Sequence, residues 1–320
     1  MKKKILSLLL LAVFAFTACE KVEEKPKSND AKNPTETTEK ATEAVKASSK
    51  DLEKMREAYE VKVDELKAED YSKDSTMNKI LTDGKLIVAT NATYPPFEFM
   101  LSVDGKSTEN GIDMEMARLL AKKINVELEI VDTSFESLVA GISNGMYDLV
   151  LAGMNKDPER DEQVDFSDDY YSPTLTLLQR KSDLDKYKEA SDIPDSFKFG
   201  NQTGTVQEKV TKVQFPETIK NSLYLESYTD LTMALEAGQI DGILLEDVIA
   251  KAFASNNSAL AINENITYPG ESGFAMAFKE GDKEFQEYLN SFIKEIKDNG
   301  TLDKIYNDGA KLAGSSMEDQ

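Results

Sequence analysis

Lys85-Leu-Ile-Val-Ala-Thr90, followed by Asn91-Ala-Thr-Tyr94-Pro-Pro-Phe-Glu98, decides the fold. The first stretch is a short apolar run rich in branched side chains, the pattern of a strand buried on both faces. Before it, Met77, Ile80 and Leu81 make a short helical face that ends at Gly84. After it, Ile112, Met116, Leu119, Leu120 and Ile124 recur at helical spacing. Val126 to Val131 then alternates as a strand, Ser137 to Asn144 reads as a helix, and Asp148 to Ala152 as another strand. This alternation predicts an α/β unit on a parallel sheet. A second series follows: strand Phe197 to Gly200, helix Val206 to Lys212, strand Ser222 to Leu225, helix Leu231 to Ala237, strand Gly242 to Leu245. A strand near Ala275 to Phe278 and a helix Phe285 to Asn299 come last. The two series share an order of elements without an internal sequence repeat.

Composition excludes several classes. The 320 residues exceed what one core of typical size needs, and 40% are hydrophobic, enough for a packed interior. A net charge of −21 repels phosphate backbones, so no nucleic acid is expected as partner. Histidine is absent, which removes the commonest general base and zinc ligand. One cysteine allows no disulfide framework, and together these facts exclude Ser-His-Asp and Cys-His hydrolases. The acidic run Glu159 to Asp169 lacks the glycine and spacing of an EF-hand loop, so no metal and no cofactor is expected.

The N-terminus has the layout of a signal peptide. Met1-Lys-Lys-Lys4 is basic, Ile5 to Phe16 is apolar but too short to span a bilayer, and small residues precede Cys19. Phe16-Thr-Ala-Cys19 resembles the lipobox of bacterial lipoproteins, which implies cleavage before Cys19 and lipidation (palmitate) of its thiol as the membrane anchor. Residues 20 to 74 read as an acidic flexible tether. Within it, Leu52, Met55, Ala58, Tyr59, Val63 and Leu66 predict a helix over Asp51 to Glu69, which either docks on the globular part or serves as a charged spacer, the spacer being favoured.

In open α/β sheets ligands sit beyond the carboxyl ends of the strands. After Thr90, the two prolines stiffen an extended loop that holds Tyr94. After Ala152 comes Gly153-Met-Asn155-Lys-Asp157-Pro158-Glu-Arg160. Asp157 suits an N-cap and Pro158 the first helical position, which puts Arg160 in the first turn, where a cation is disfavoured and calls for an anion. After Gly200, Asn201-Gln-Thr203-Gly204-Thr205 precedes a helix and offers backbone N–H groups to an anion. After Leu245 come the acids Glu246 and Asp247, which could meet a cation. An aromatic face, an anion receptor and an acid are what an α-amino acid zwitterion needs.

Nine stretches in order resemble the bacterial family-3 solute-binding proteins of polar amino-acid importers. They are Gly84 to Thr90, Tyr94 to Glu98, Gly111 to Glu115, Gly145 to Asp148, Gly153-Met154 with Pro158 to Arg160, Asp165 to Ser167 with Tyr170-Tyr171, Gln202 to Thr205, Ile240 to Gly242, and Gly300 to Tyr306. The resemblance covers about Ser75 to Gly309. It implies a type II periplasmic-binding-protein-like fold of two α/β lobes, each a mixed, mainly parallel sheet flanked by helices. Lobe 1 is expected at 75–178 plus 270–311, lobe 2 at 179–269, and a C-terminal tail at 312–320. A two-strand hinge is expected near Leu177 to Arg180 and Thr267 to Glu271.

The family pattern also implies roles. Tyr94 and Phe135 would stack on the ligand side chain. The Gly153 carbonyl and Asn155 would meet its ammonium or backbone atoms. Arg160 would clamp the α-carboxylate, helped by main-chain N–H groups near Thr205 and Val206, while Thr203 and Gly204 line the other lobe. Glu246 stands where aspartate usually binds the α-amino group, with Asp247 as the alternative. Asn155 replaces a common hydroxyl residue. Asn91 stands where binders of basic amino acids often carry an acid, which favours a neutral polar ligand such as glutamine. The expected partners are a free amino acid and the membrane subunits of an ABC importer, with the protein a monomer and no enzyme. Two alternatives stay open: a dehydratase acting on prephenate or arogenate on the same scaffold, with Glu98 or Glu246 as its acid, and a signalling or adhesion lipoprotein.

Overall fold

Lys85–Thr90 lies inside its sheet, paired in parallel with Glu127–Asp132 on one side and Leu149–Val150 on the other. In the computed structural model, which describes residues 46–314 except 271, Ala277–Lys279 and Val164–Phe166 extend this sheet in antiparallel sense. Cys19 and the tether before residue 46 lie outside the described residues. The helix Ile112–Ile124 packs its apolar face under the sheet. It starts at Gly111, whose φ of 116° and contact with the Phe97 backbone leave no place for a Cβ.

The second sheet repeats the plan. Its order is Leu223–Leu225, Phe199–Gln202, Gly242–Glu246, Thr174–Arg180, Leu260–Pro269; the first three are parallel and the last two antiparallel. The chain is thus two-lobed, each lobe a mixed sheet flanked by helices.

Of the two expected crossings, the return near Gly270 falls inside the expected stretch Thr267 to Glu271, and the first falls before Leu177 to Arg180. Leu177, Leu178 and Gln179 pair with Leu244, Ile243 and Gly242, and Thr267 pairs with Thr176, all inside the second sheet. A buried apolar strand keeps its ladder because its N–H and C=O groups need partners. The chain crosses instead beside Pro173, which has no N–H to offer a ladder. There the two crossing segments touch: Tyr171 and Phe274 form an antiparallel bridge, and Gly270 abuts the Pro173 carbonyl. Glu271 itself is outside the described residues.

The segment expected as a spacer is docked on the first lobe over its described part. Its helix is Ser49–Arg56, capped by Ser48, and does not continue to Glu69. Beyond it the backbone bonds to side chains of the last two helices. Glu60 N–H donates to Thr301 Oγ1 at 3.2 Å and Lys62 N–H to Glu295 at 3.0 Å. Tyr59 is buried, with its hydroxyl donating to Asp308 at 3.2 Å. Arg56 holds the buried Glu115 through Nε and Nη2, at 2.8 and 2.7 Å. Lys46–Ala47 adds a parallel strand to Glu98–Val103. These outside partners, together with Tyr59 burial, stop the helix: an extended strap satisfies the same polar groups and buries more apolar surface.

Candidate functional site

Arg160 sits where the sequence puts it. The short helix Pro158–Asp161 is capped by Asp157, whose side chain accepts from Glu159 N–H at 2.9 Å. The guanidinium is 8% exposed. It donates to the Asn155 carbonyl at 2.6 Å and, across the cleft, to the Gly204 carbonyl at 2.7 Å. Its Cζ lies 5.2 Å from the centre of the Phe135 ring, a cation–π contact. No carboxylate among the described residues forms an ion pair with it. Burial pulls its pKa down to about 10, with Asp157 and Glu159 opposing from a distance. A guanidinium has five N–H donors, and two carbonyls do not exhaust them.

Glu246 belongs to the second lobe. It ends the strand Gly242–Glu246 and precedes the helix Asp247–Asn256. It is fully buried and accepts hydrogen bonds from the Tyr94 hydroxyl and the Gln207 amide. No cation among the described residues pairs with it. Burial pushes its carboxyl up to about 8, and the neighbouring Asp247 adds to the rise. It is Glu246, not Asp247, that reaches Tyr94.

Tyr94 is set by what lies behind it. Gly153, at φ 51°, leaves only 3.0 Å between a would-be Cβ and the Tyr94 ring, so the ring needs glycine there. The Gly153 N–H donates to Asp113 at 2.8 Å, and the Tyr170 hydroxyl to the same oxygen at 2.9 Å. Glu98 and Asp113 are both buried, and desolvation raises both carboxyls; the neighbouring Asp113 raises Glu98 further, while bonds from Gly153, Tyr170 and Glu98 hold Asp113 back. A pair this close holds one proton between its members. Phe274 meets Phe97 edge-on at 4.9 Å and closes the floor.

The lobes touch at several further points. Gln202 Nε2 donates to Asn91 Oδ1 at 2.9 Å, while Asn91 Nδ2 donates to the Thr133 carbonyl at 2.7 Å. Tyr228 of the second lobe lies against Tyr94, ring centres 4.7 Å apart. Lys209 bridges to Asp157 at 2.8 Å and Glu159 at 2.7 Å.

Of the residues expected from sequence, Asn91, Tyr94, Phe135, Gly153, Asn155 and Thr205 line one interlobe cavity. Arg160 and Gly204 line the adjoining cleft with Phe135. One expectation meets a different geometry: the Asn155 amide turns away to the Ser272 carbonyl at 3.0 Å. The Val206 side chain packs in the core with Leu175, Val210 and Leu244, and only its main-chain N–H was expected at the ligand. The turn before the helix Val206–Gln214 is partly satisfied internally: Gly204 N–H donates to Glu208 at 2.8 Å and Glu208 N–H to Thr205 Oγ1 at 3.2 Å. Thr203 is half-buried in that turn. Gln202, Gln207 and Tyr228 line the cavity without having been singled out as ligand-facing in the sequence, and so does Glu98, named there only as a possible catalytic acid. Tyr228 follows the strand end at Leu225, so the same search beyond strand ends reaches it.

The profile of the bacterial extracellular solute-binding proteins, family 3, matches residues 86–308. The arginine-binding extracellular protein ArtP of Bacillus subtilis (strain 168) is 34% identical over 228 residues, 69% of this chain and 84% of that protein. The ABC transporter arginine-binding protein 1 of Escherichia coli (strain K12) is 31% identical over 224 residues, 69% of this chain and 88% of that protein. Among solved structures, the amino acid ABC transporter substrate-binding protein AbpA of Streptococcus pneumoniae, bound to L-arginine, superposes with a TM-score of 0.69 at 34% identity, covering 74% of this chain and 99% of that one. With two sheets of one plan, a cleft between them and a family match over most of its length, the chain belongs to the bacterial extracellular solute-binding proteins, family 3.

Proposed function

We propose that this protein captures one polar amino acid, as its zwitterion, between the two lobes and hands it to the membrane subunits of an ABC importer. One observation carries the reading. Arg160 on the first lobe is a buried cation without a carboxylate, and Glu246 on the second is a buried acid without a cation, among the described residues. Leaving a buried charge unpaired is costly, and an α-carboxylate with an α-ammonium supplies both missing partners in one molecule. The crossing segments at Pro173 and Gly270 are the hinge of this scheme, and closing them buries the ligand. Tethering through a lipidated Cys19 on the outer face of the membrane, and action as a monomer, belong to the same proposal.

For the ligand side chain, the cavity end holding Asn91 and Gln202 favours a neutral amide such as glutamine, because both residues carry a donor and an acceptor and no charge. A specific observation favours arginine as a second reading: Glu98 Oε2 is buried without a hydrogen-bond partner among the described residues and lines the same cavity, and the matched relatives bind arginine.

A thermal-shift screen of the chain after residue 19, against the twenty amino acids, cystine and ornithine, tests the proposal. A ligand that binds only the native state raises the midpoint. A shift with one or a few polar amino acids is expected, and its identity chooses between the two side chains. No shift with any of them, on protein freed of carried-over ligand, overturns the reading.

A further inference from the structure

Tyr228 is the first residue of the helix Tyr228–Glu236 in the second lobe, placed there by the Ser227 cap, whose side chain accepts from Asp230 N–H at 3.2 Å. It is 2% exposed. Its ring packs on Tyr94 across the cleft, 4.7 Å between centres and tilted by 40°. Its hydroxyl is buried and has no hydrogen-bond partner among the described residues. The Thr205 hydroxyl lies beside it, donating to the Gln202 carbonyl at 2.8 Å and accepting from Glu208 N–H at 3.2 Å, which leaves Thr205 one acceptor site and no proton for Tyr228. Tyr228 also lines the cavity that holds Asn91, Glu98 and Gln202. A phenylalanine would fill the same space without the penalty of a buried, unmatched hydroxyl.

We infer that Tyr228 is the second ring of the aromatic wall of the side-chain pocket, and that its hydroxyl is the hydrogen-bond partner of the polar end of the ligand's side chain. The inference rests on the amino-acid reading above. The Tyr94 and Tyr228 rings pack on each other and so present one continuous aromatic wall to a planar amide or guanidinium in the cavity. The hydroxyl can donate to an amide oxygen or accept from an amide or guanidinium N–H, so it does not choose between those groups. It does reject an apolar side chain of equal shape, because the hydroxyl then stays buried and unmatched. Tyr228 belongs to the second lobe while Tyr94 belongs to the first. The contact therefore forms only when the lobes meet, and the side chain is read at the closing step.

The test compares the unaltered chain with Tyr228→Phe and Tyr228→Leu by isothermal titration. The probes are L-glutamine and L-arginine, with L-methionine and L-norleucine as their apolar counterparts. Tyr228→Phe is expected to weaken the preferred polar ligand about tenfold, to leave the apolar probes unchanged, and to hold or raise the ligand-free melting midpoint. Tyr228→Leu is expected to weaken the polar ligand further by removing the ring. Undiminished discrimination in Tyr228→Phe overturns the inference, and so does a lowered ligand-free midpoint with unchanged discrimination, which marks a packing role. If the unaltered chain binds no amino acid, the amino-acid reading fails first; if it binds and the variants discriminate as it does, only the role of Tyr228 fails.

Discussion

Away from the cleft, several buried charges are neutralised by ion pairs within their own lobe. In the first, Glu115 is held by Arg56 and Arg118 at 2.7 and 3.0 Å, Asp148 by Lys79 at 2.9 Å, and Lys123 by Asp64 and Glu295 at 2.9 and 2.8 Å. In the second, Asp183 is held by Arg180 and Lys186 at 2.8 and 2.7 Å. At the cleft the lobes part company. The first offers Arg160 to carbonyls and a ring, and the second offers Glu246 to a hydroxyl and an amide. Interiors pair their charges unless something else is to pair them. On this contrast rests the proposal that these two groups, one per lobe and of opposite sign, are the poles of a zwitterion site.

Five changes sharpen or break this contrast, from the largest effect to the smallest. Arg160→Ala removes the pole of the first lobe, and we expect binding of every amino acid to weaken by about 2–5 kcal/mol. Against a micromolar affinity of about −8 kcal/mol, that abolishes any thermal shift. Retained micromolar binding, measured by titration calorimetry, breaks the contrast at once. Arg160→Lys keeps the charge but loses the two-pronged geometry, and falls between the two.

Glu246→Gln removes the pole of the second lobe and is expected to cost about 1.5–3 kcal/mol of binding. It also carries a pH signature. Burial raises the Glu246 carboxyl from 4.5 to about 8, so the ligand-free protein keeps its proton where the unfolded chain has lost it. The native state then binds more protons, and Glu246 makes stability fall as pH rises from about 4.5 to about 8, with no further loss above. Melting midpoints across that range should fall less steeply in Glu246→Gln. An ammonium beside Glu246 favours the carboxylate, so binding at neutral pH should release a proton. The observed binding enthalpy then varies with the ionisation heat of the buffer, and a buffer-independent enthalpy contradicts this account of Glu246.

Arg56→Ala probes a pair that belongs to the strap and not to the cleft. It leaves Glu115, 1% exposed, with Arg118 alone, and we expect a stability loss of about 1–3 kcal/mol with affinity unchanged. A matching loss of affinity would show that the strap acts on the cleft. Lys209→Ala removes the outer bridge to Asp157 and Glu159; with the lysine side chain 39% exposed, the effect on affinity is expected to stay below about 1 kcal/mol and to shrink in high salt.

The sheets were legible in the sequence because their strands are short apolar runs with sharp ends. Lys85–Thr90 and Gly242–Glu246 stand almost where the pattern puts them. Arg160 was legible because Asp157-Pro158 fixes a helix start. The strap was not: Tyr59 and Leu66 repeat at helical spacing, yet the partners that draw the backbone off, Thr301 and Glu295, lie more than two hundred residues away. The first crossing was misplaced because a strand continuing in one sheet and a strand passing between two have the same apolar pattern; the return, near Gly270, was not. Gln207 and Tyr228 escaped because each is an ordinary first-turn helical residue until the other lobe arrives.

The most direct test takes the amino acid that gives the largest thermal shift and titrates it beside its α-carboxamide and its N-acetyl derivative. The account predicts that both derivatives fail to bind, because one removes the charge Arg160 lacks and the other the charge Glu246 lacks. Binding of either at an affinity near that of the free amino acid would contradict the zwitterion bridge.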